Sequence, residues 1–410
     1  MRGLVSSSLS TSTPSPCGWC LSSSTSGGEV RELRPIWQLD EGFEPYRALY
    51  LHLPFCRKRC AYCDFVTEAA SPDDPRLDAY VDQLVADIRA ASAAGALAHI
   101  ETVYLGGGTP SFFGLKRLCR LMYELSLCMR LEPEIECTME ANPDSLTLPM
   151  VRDLFALGVT RISLGVQSFD DDELRLLGRI HDAQAALRAI DLALERFDHV
   201  SIDLMCGLPG QHLETFERSL DRALSTGVDH ISIYPLTIEE GTPLDHLVEK
   251  GLIPTPDDDL AADMMDLAAC KCTEAGFRRY EVASYARPGG ESRHNQAYWT
   301  GVPYLGLGRG AVGMKQSSDC RIRYDQEGII EELDEAQRLV EDLMLGMRRS
   351  VGVAADDVIA ACLVVPDAWE IFEALVDDGF AAYRDGRFVP TERGWLLGNV
   401  MYGRILDLAP

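Results

Sequence analysis

The chain has 410 residues, 46% of them hydrophobic, enough for one large core and a small second domain. Its formal net charge of −26 argues against nucleic acid or an anionic membrane as the main partner. No run of eighteen or more apolar residues is present, so no membrane span is expected, and most cysteines are dispersed as free thiols are in a reducing cytoplasm.

The first 45 residues read as an N-terminal extension. Met1 to Gly28 is rich in Ser, Thr, Gly and Pro without hydrophobic period, so disorder is expected, and it lacks the continuous apolar stretch of a secretory signal. Cys17-Gly-Trp-Cys20 has redox C-x-x-C spacing, but no βαβ context surrounds it; it reads as an accident of the tail rather than a redox or metal site.

From Ala48 onward apolar strand-like runs alternate with helical stretches. The strands are expected at 48–53, 100–105, 134–140, 160–166, 199–206 and 230–236. Helices are expected at 74–93, 114–129, 147–156, 182–196, 211–225 and 257–276, with Gly158, Gly227 and Gly276 closing three of the helical segments. Six βα units with near-continuous apolar strands imply a parallel sheet covered by helices, and a partial (β/α)6 barrel over residues 46–285 is the natural architecture.

Directly after the first strand, Cys56, Cys60 and Cys63 form a C-x3-C-x2-C pattern. Three soft thiolates on one tight loop can grip one iron–sulfur cube, and with no fourth cysteine close by one iron is left open for an outside ligand. A closed zinc site fits less well, because the usual second Cys or His pair is missing; three buried structural cysteines are the bland alternative. Other polar candidates gather at predicted strand ends: Gly106 to Pro110 after the second, Glu140 at the third, Gln167 after the fourth, Asp203 and Tyr234 near the fifth and sixth. In a βα barrel that rim builds the active site.

These residues carry a resemblance. The cysteine loop resembles that of the radical S-adenosylmethionine (SAM) superfamily, whose open iron chelates SAM. Residues 46–315 resemble the branch related to oxygen-independent coproporphyrinogen III oxidase, above all its HemW-type heme chaperones. The resemblance implies a [4Fe–4S] cluster on Cys56, Cys60 and Cys63. It also implies SAM contacts from Tyr50, Tyr62, Gly107, Gly108 and Thr109, with Glu140 placed to accept from ribose hydroxyls. Gln167, Arg179 and Asp203 match segments lining a second SAM or substrate region; an amide, a guanidinium and a carboxylate suit an amino-acid or carboxylate-bearing ligand.

Residues 286–325 hold the most discriminating string, Ser292 to Trp299. His294 and Tyr298 are four apart and share a helix face; imidazole ligates heme iron and flat aromatics stack on porphyrins. The string resembles the HNxxYW motif of HemW-type proteins, which implies heme binding by His294, Asn295, Tyr298 and Trp299. Two departures matter. Phe65 stands where oxygen-independent coproporphyrinogen oxidases carry a further cysteine, which favours the HemW type, and Val312 stands where relatives usually have histidine.

The resemblance therefore implies a chaperone that holds the cluster, SAM and heme and passes heme to acceptor proteins. The alternatives are oxidative decarboxylation of the porphyrinogen substrate and, more remotely, a radical methyltransferase. A homodimer is compatible with the sequence.

Over 326–410 the alternation ends. Helices near 333–349 and 367–378 precede an Asp385-Gly386 hairpin signal, suggesting a winged-helix-like module. From Asp334 onward there are 14 acidic and 7 basic side chains, so a phosphate-tracking face is not expected and the module reads as a lid or partner surface.

Overall fold

The computed structural model describes residues 35–129 and 134–409. The Cys17/Cys20 pair and the expected disorder of Met1 to Gly28 lie outside the described residues. Residues 36–45, grouped above with the extension, lay Ile36, Trp37 and Leu39 against the main core, and the Tyr46 hydroxyl donates to the Trp37 carbonyl at 2.8 Å.

Six parallel strands form the centre in chain order: β1 (Ala48–Leu53), β2 (Thr102–Gly107), β3 (Glu136–Ala141), β4 (Arg161–Gln167), β5 (His199–Cys206) and β6 (His230–Pro235). Their side chains are almost all buried, as expected of parallel strands covered on both faces. The covering helices start on side-chain caps. Asp74 accepts from the Arg76 N–H, Thr147 from Met150 and Asp182 from Ala185, each satisfying a first-turn donor.

The sheet continues past both edges, and among the described residues its outermost strands do not pair with each other. Beyond β6, Ser284–Ala286 and Arg278–Arg279 add antiparallel strands; beyond β1, Tyr304–Leu307 adds parallel, and Gly313–Gln316, Cys320–Tyr324 and Ile329–Asp334 follow antiparallel. This extension was not foreseen. Cys320–Tyr324 carries Arg321, which is fully buried because Glu341, Asp342 and Gln316 take its guanidinium.

A second hydrophobic cluster occupies the C-terminal part, centred on Phe372, Phe388, Met347 and Met401. Helices Glu335–Gly346, Ala355–Ala361, Ala368–Asp377 and Gly398–Leu406 pack around a small sheet of Val353–Ala354, Ala381–Arg384 and Arg387–Pro390. The hairpin turns at Asp385 and Gly386 with φ of 50° and 75°, the left-handed pair that a two-residue turn requires. Helices are followed by a hairpin here, while the strand Ile329–Asp334, grouped above with this module, belongs to the long sheet. Among the described residues no helix is long and apolar enough to cross a membrane.

Candidate functional site

The cysteine loop is pinned to the C-terminal rim of the sheet from several sides. Ala61 donates its N–H to Leu177 O and accepts at its own carbonyl from Leu244 N, both at 2.9 Å, while Thr109 N reaches Phe55 O at 3.1 Å. Phe55–Cys56 pairs in parallel with Glu68–Ala69, closing the loop's base.

All three sulfurs line one cavity and meet different hydrogen-bonding groups. The Thr109 hydroxyl donates to Cys56 Sγ at 3.3 Å, Arg179 Nη1 donates to Cys60 Sγ at 3.4 Å, and Cys63 Sγ lies 3.8 Å from Thr67 Oγ1. Such donors favour thiolates, whereas burial pushes the bare Cys56 thiol up to about 11. The donor set fits an iron–sulfur cluster better than a lone zinc ion. Sulfurs around one zinc at about 2.3 Å would sit roughly 4 Å apart. Among the described residues, the only group that gathers three ligand atoms within 4.8 Å of one another is Asp245, His246 and Glu249.

The same cavity is lined by Tyr62, Gly107, Gly108, Thr109, Glu140, Gln167, Arg179 and Asp203. Eight of the nine residues expected to contact SAM thus converge with the cysteines. Tyr50 lies next door, in a cavity shared with His52, Phe65, Gly107 and Glu140; its hydroxyl meets His52 Nδ1 at 3.0 Å and its ring stacks on Tyr104.

Glu140 accepts from the Tyr104 hydroxyl at 2.9 Å and the Gly107 N–H at 3.1 Å, yet burial still pushes its pKa up to about 7. Burial also pushes Asp203 up to about 6, against hydrogen bonds from Ser232 and Ser163. Arg179 ties the floor together. Its Nη2 donates to Asn142 Oδ1 at 2.7 Å and to the Gly165 carbonyl, while its Nε is buried without a protein partner. That orphaned donor beside the sulfurs fits an anionic ligand group.

Gln167 follows a register shift in β4 and has φ of 69°, a left-handed conformation that costs a non-glycine residue about 1–2 kcal/mol. Strain of this kind on a cavity wall is characteristic of ligand sites. The glycine run has a structural duty besides any ligand contact. A Cβ on Gly107 would fall 2.5 Å from the His52 ring, and one on Gly108 would fall 2.7 Å from the Leu53 carbonyl oxygen.

The sequence reading missed Asn142, which donates to Thr109 Oγ1 at 3.0 Å and accepts from Arg179. Its signal was present: it follows Glu140 by two residues, so the strand's alternation turns both to one face. Tyr104 was also missed, because only the β1–β2 register places it beside Tyr50.

The 292–299 string forms the helix Arg293–Trp299, capped by Ser292, whose side chain accepts from Asn295 N. His294 does not point into open space. It is 1% exposed, with Nδ1 at 2.8 Å from Thr102 Oγ1, Nε2 at 3.0 Å from the Tyr298 hydroxyl, and its ring stacked 5.0 Å from Tyr104. Burial lowers its pKa to about 3, so it stays neutral at ordinary pH. Both ring nitrogens are engaged, and in this conformation His294 is not open as an iron ligand. Its neighbours Asn295, Tyr298 and Trp299 instead line a second cavity, which Tyr234 and the C-terminal Trp395 also face. The contacts Glu140–Tyr104, Tyr104–His294 and His294–Tyr298 form an unbroken line between the two cavities.

The profile of the radical SAM superfamily matches residues 50–223. Over 373 residues the chain is 36% identical to a protein named heme chaperone HemW from Mycobacterium tuberculosis (strain ATCC 25618 / H37Rv), covering 87% of this chain and 94% of that one. A protein of the same name from Bacillus subtilis (strain 168) is 30% identical over 379 residues, covering 88% of this chain and 99% of that one. The Escherichia coli coproporphyrinogen III oxidase HemN, a radical SAM enzyme, superposes with a TM-score of 0.75 at 21% identity, over 88% of this chain and 90% of that one. That likeness establishes a common fold.

Proposed function

Because the chain belongs to the HemW family of the radical SAM superfamily, we propose that it is a heme chaperone: it carries a [4Fe–4S] cluster and SAM in the first cavity, holds heme in the second, and passes heme to acceptor proteins. The observation that carries the reading is the placement of Asn295, Tyr298 and Trp299 on one wall of a second cavity joined through His294 and Tyr104 to Glu140. Phe65 supports it. The side chain that replaces a further cysteine is 69% exposed and lines the mouth of the first cavity.

In the first cavity, Cys56, Cys60 and Cys63 would hold the cluster, which when bound supplies an iron site for the amino and carboxylate groups of SAM. The chain's own residues then do the positioning. Glu140 accepts from ribose hydroxyls, Arg179 offers its free Nε to an anionic group, and the Gly107–Gly108 backbone borders the ligand at close range. In the second cavity, Tyr298 and Trp299 offer aromatic faces to the porphyrin, with His294 beneath them as the residue that positions Tyr298.

The test is an anaerobic reconstitution split between hemin titration and incubation with coproporphyrinogen III and SAM. The chaperone reading expects a stoichiometric heme spectrum that is lost in Trp299→Ala, and no decarboxylated product. Formation of protoporphyrinogen IX would replace it with the oxidase reading.

A further inference from the structure

The second cavity has a volume of about 830 Å³, toward the upper end of the roughly 300–1,000 Å³ of small-molecule pockets. Two guanidiniums face it, and neither belongs to an ion pair among the described residues. Arg279 lies 4.9 Å over the Trp395 ring and 5.1 Å over Tyr285, and its Nε is buried without a partner. Arg348 lies 5.1 Å over Trp299 and 4.6 Å over Tyr402, with the Met344 sulfur as the acceptor for its Nε. Aromatic faces flank both groups and leave donors of each fork for a ligand.

In a chain with 64 acidic and 38 basic residues, two such cations outside any ion pair are conspicuous, with Glu281 acting on Arg279 through its charge alone. Two carboxyl groups do line the cavity. Glu281 is committed to the Trp299 Nε1–H at 3.1 Å and the Ala283 N–H at 3.3 Å, and its burial raises its pKa; Asp258 sits in the first turn of the helix Asp258–Glu274. The cavity therefore combines flat apolar walls with two forks suited to carboxylates.

We propose that Arg279 and Arg348 grip the two carboxylates of a flat tetrapyrrole lying against Trp299, making the second cavity selective for the free diacid. This rests on the heme reading and deepens it, since it names the ligand groups recognised and brings the C-terminal module, through Arg348 and Trp395, into the site. The module then acts as one wall of the binding site.

The experiment compares hemin with hemin dimethyl ester, titrated into the full-length chain and into Arg279→Gln, Arg348→Gln and the double variant, with circular dichroism melts as the folding control. The wild type should bind the diacid at least tenfold more tightly than the diester. The double variant should bring the diacid down to the diester's affinity while leaving the diester unchanged, and Arg→Lys should recover only part of the difference. Equal wild-type affinity for diacid and diester would overturn the proposal with the heme reading intact, as would variants that lose both ligands equally. A wild type that binds neither compound would overturn the heme reading itself and this proposal with it.

Discussion

At Glu140 a carboxylate with a pKa near 7 faces the first cavity, so its acceptor capacity changes across the ordinary working range. Burial raised that pKa, so the anion is present above about 7 and takes up a proton below it. SAM affinity of the reconstituted protein should fall several-fold from pH 8 to pH 6, and Glu140→Gln should bind more weakly with a flatter profile. Equal slopes in both proteins, measured by equilibrium binding, would exclude Glu140 as the titrating contact. His294 runs the opposite way for a base. Its folded pKa of about 3 lies below the unfolded value near 6.5, so the unfolded chain holds the extra proton between them. The stability it contributes is complete above about 6.5 and is lost as pH falls toward 3. Urea unfolding of His294→Gln should show a shallower acid loss than wild type from pH 6.5 to 4. His294→Ala, which empties a packed site and leaves the Thr102 and Tyr298 hydroxyls unpaired, should cost about 2–4 kcal/mol at neutral pH.

Among the elements, the six parallel strands were legible because burial on both faces leaves near-continuous apolar runs, and their ends marked the site rim. The edge extension was not legible, for a reason visible in Arg321. A strand reading Cys-Arg-Ile-Arg-Tyr looks half exposed, and only a helix some twenty residues later supplies the carboxylates that make its arginine a core residue. Arg321→Met should leave Glu341 and Asp342 without their buried partner and cost about 3 kcal/mol or more in thermal or urea unfolding. A neutral result would mean that Arg338 and Arg323 already neutralise the pair. The glycine run was legible as a place of close approach, but its neighbour was taken to be the ligand; the nearest obstacles are His52 and the Leu53–Phe55 backbone. Gly108→Ala should therefore lower stability in the cofactor-free chain, before any ligand is added.

On the scale of the whole molecule, one long sheet places the cysteine loop above its rim, and the C-terminal module completes a second cavity. Motif spacing revealed the first cavity because its ligands lie on short loops after predictable strands. Most of the second was hidden, since Arg348, Trp395 and Asn399 meet Trp299 only through tertiary packing. The motif itself was legible while the role of His294 within it was not, because burial and two hydroxyl partners are properties of the fold. The proposed function rests on Cys56, Cys60 and Cys63 holding a cubane with one iron open to SAM. The direct measurement is electron paramagnetic resonance of the anaerobically reconstituted, dithionite-reduced protein with and without SAM. The account predicts a reduced [4Fe–4S] signal that shifts when SAM is added and is absent from Cys60→Ala. A protein that never develops the signal, or whose signal is indifferent to SAM, would contradict it.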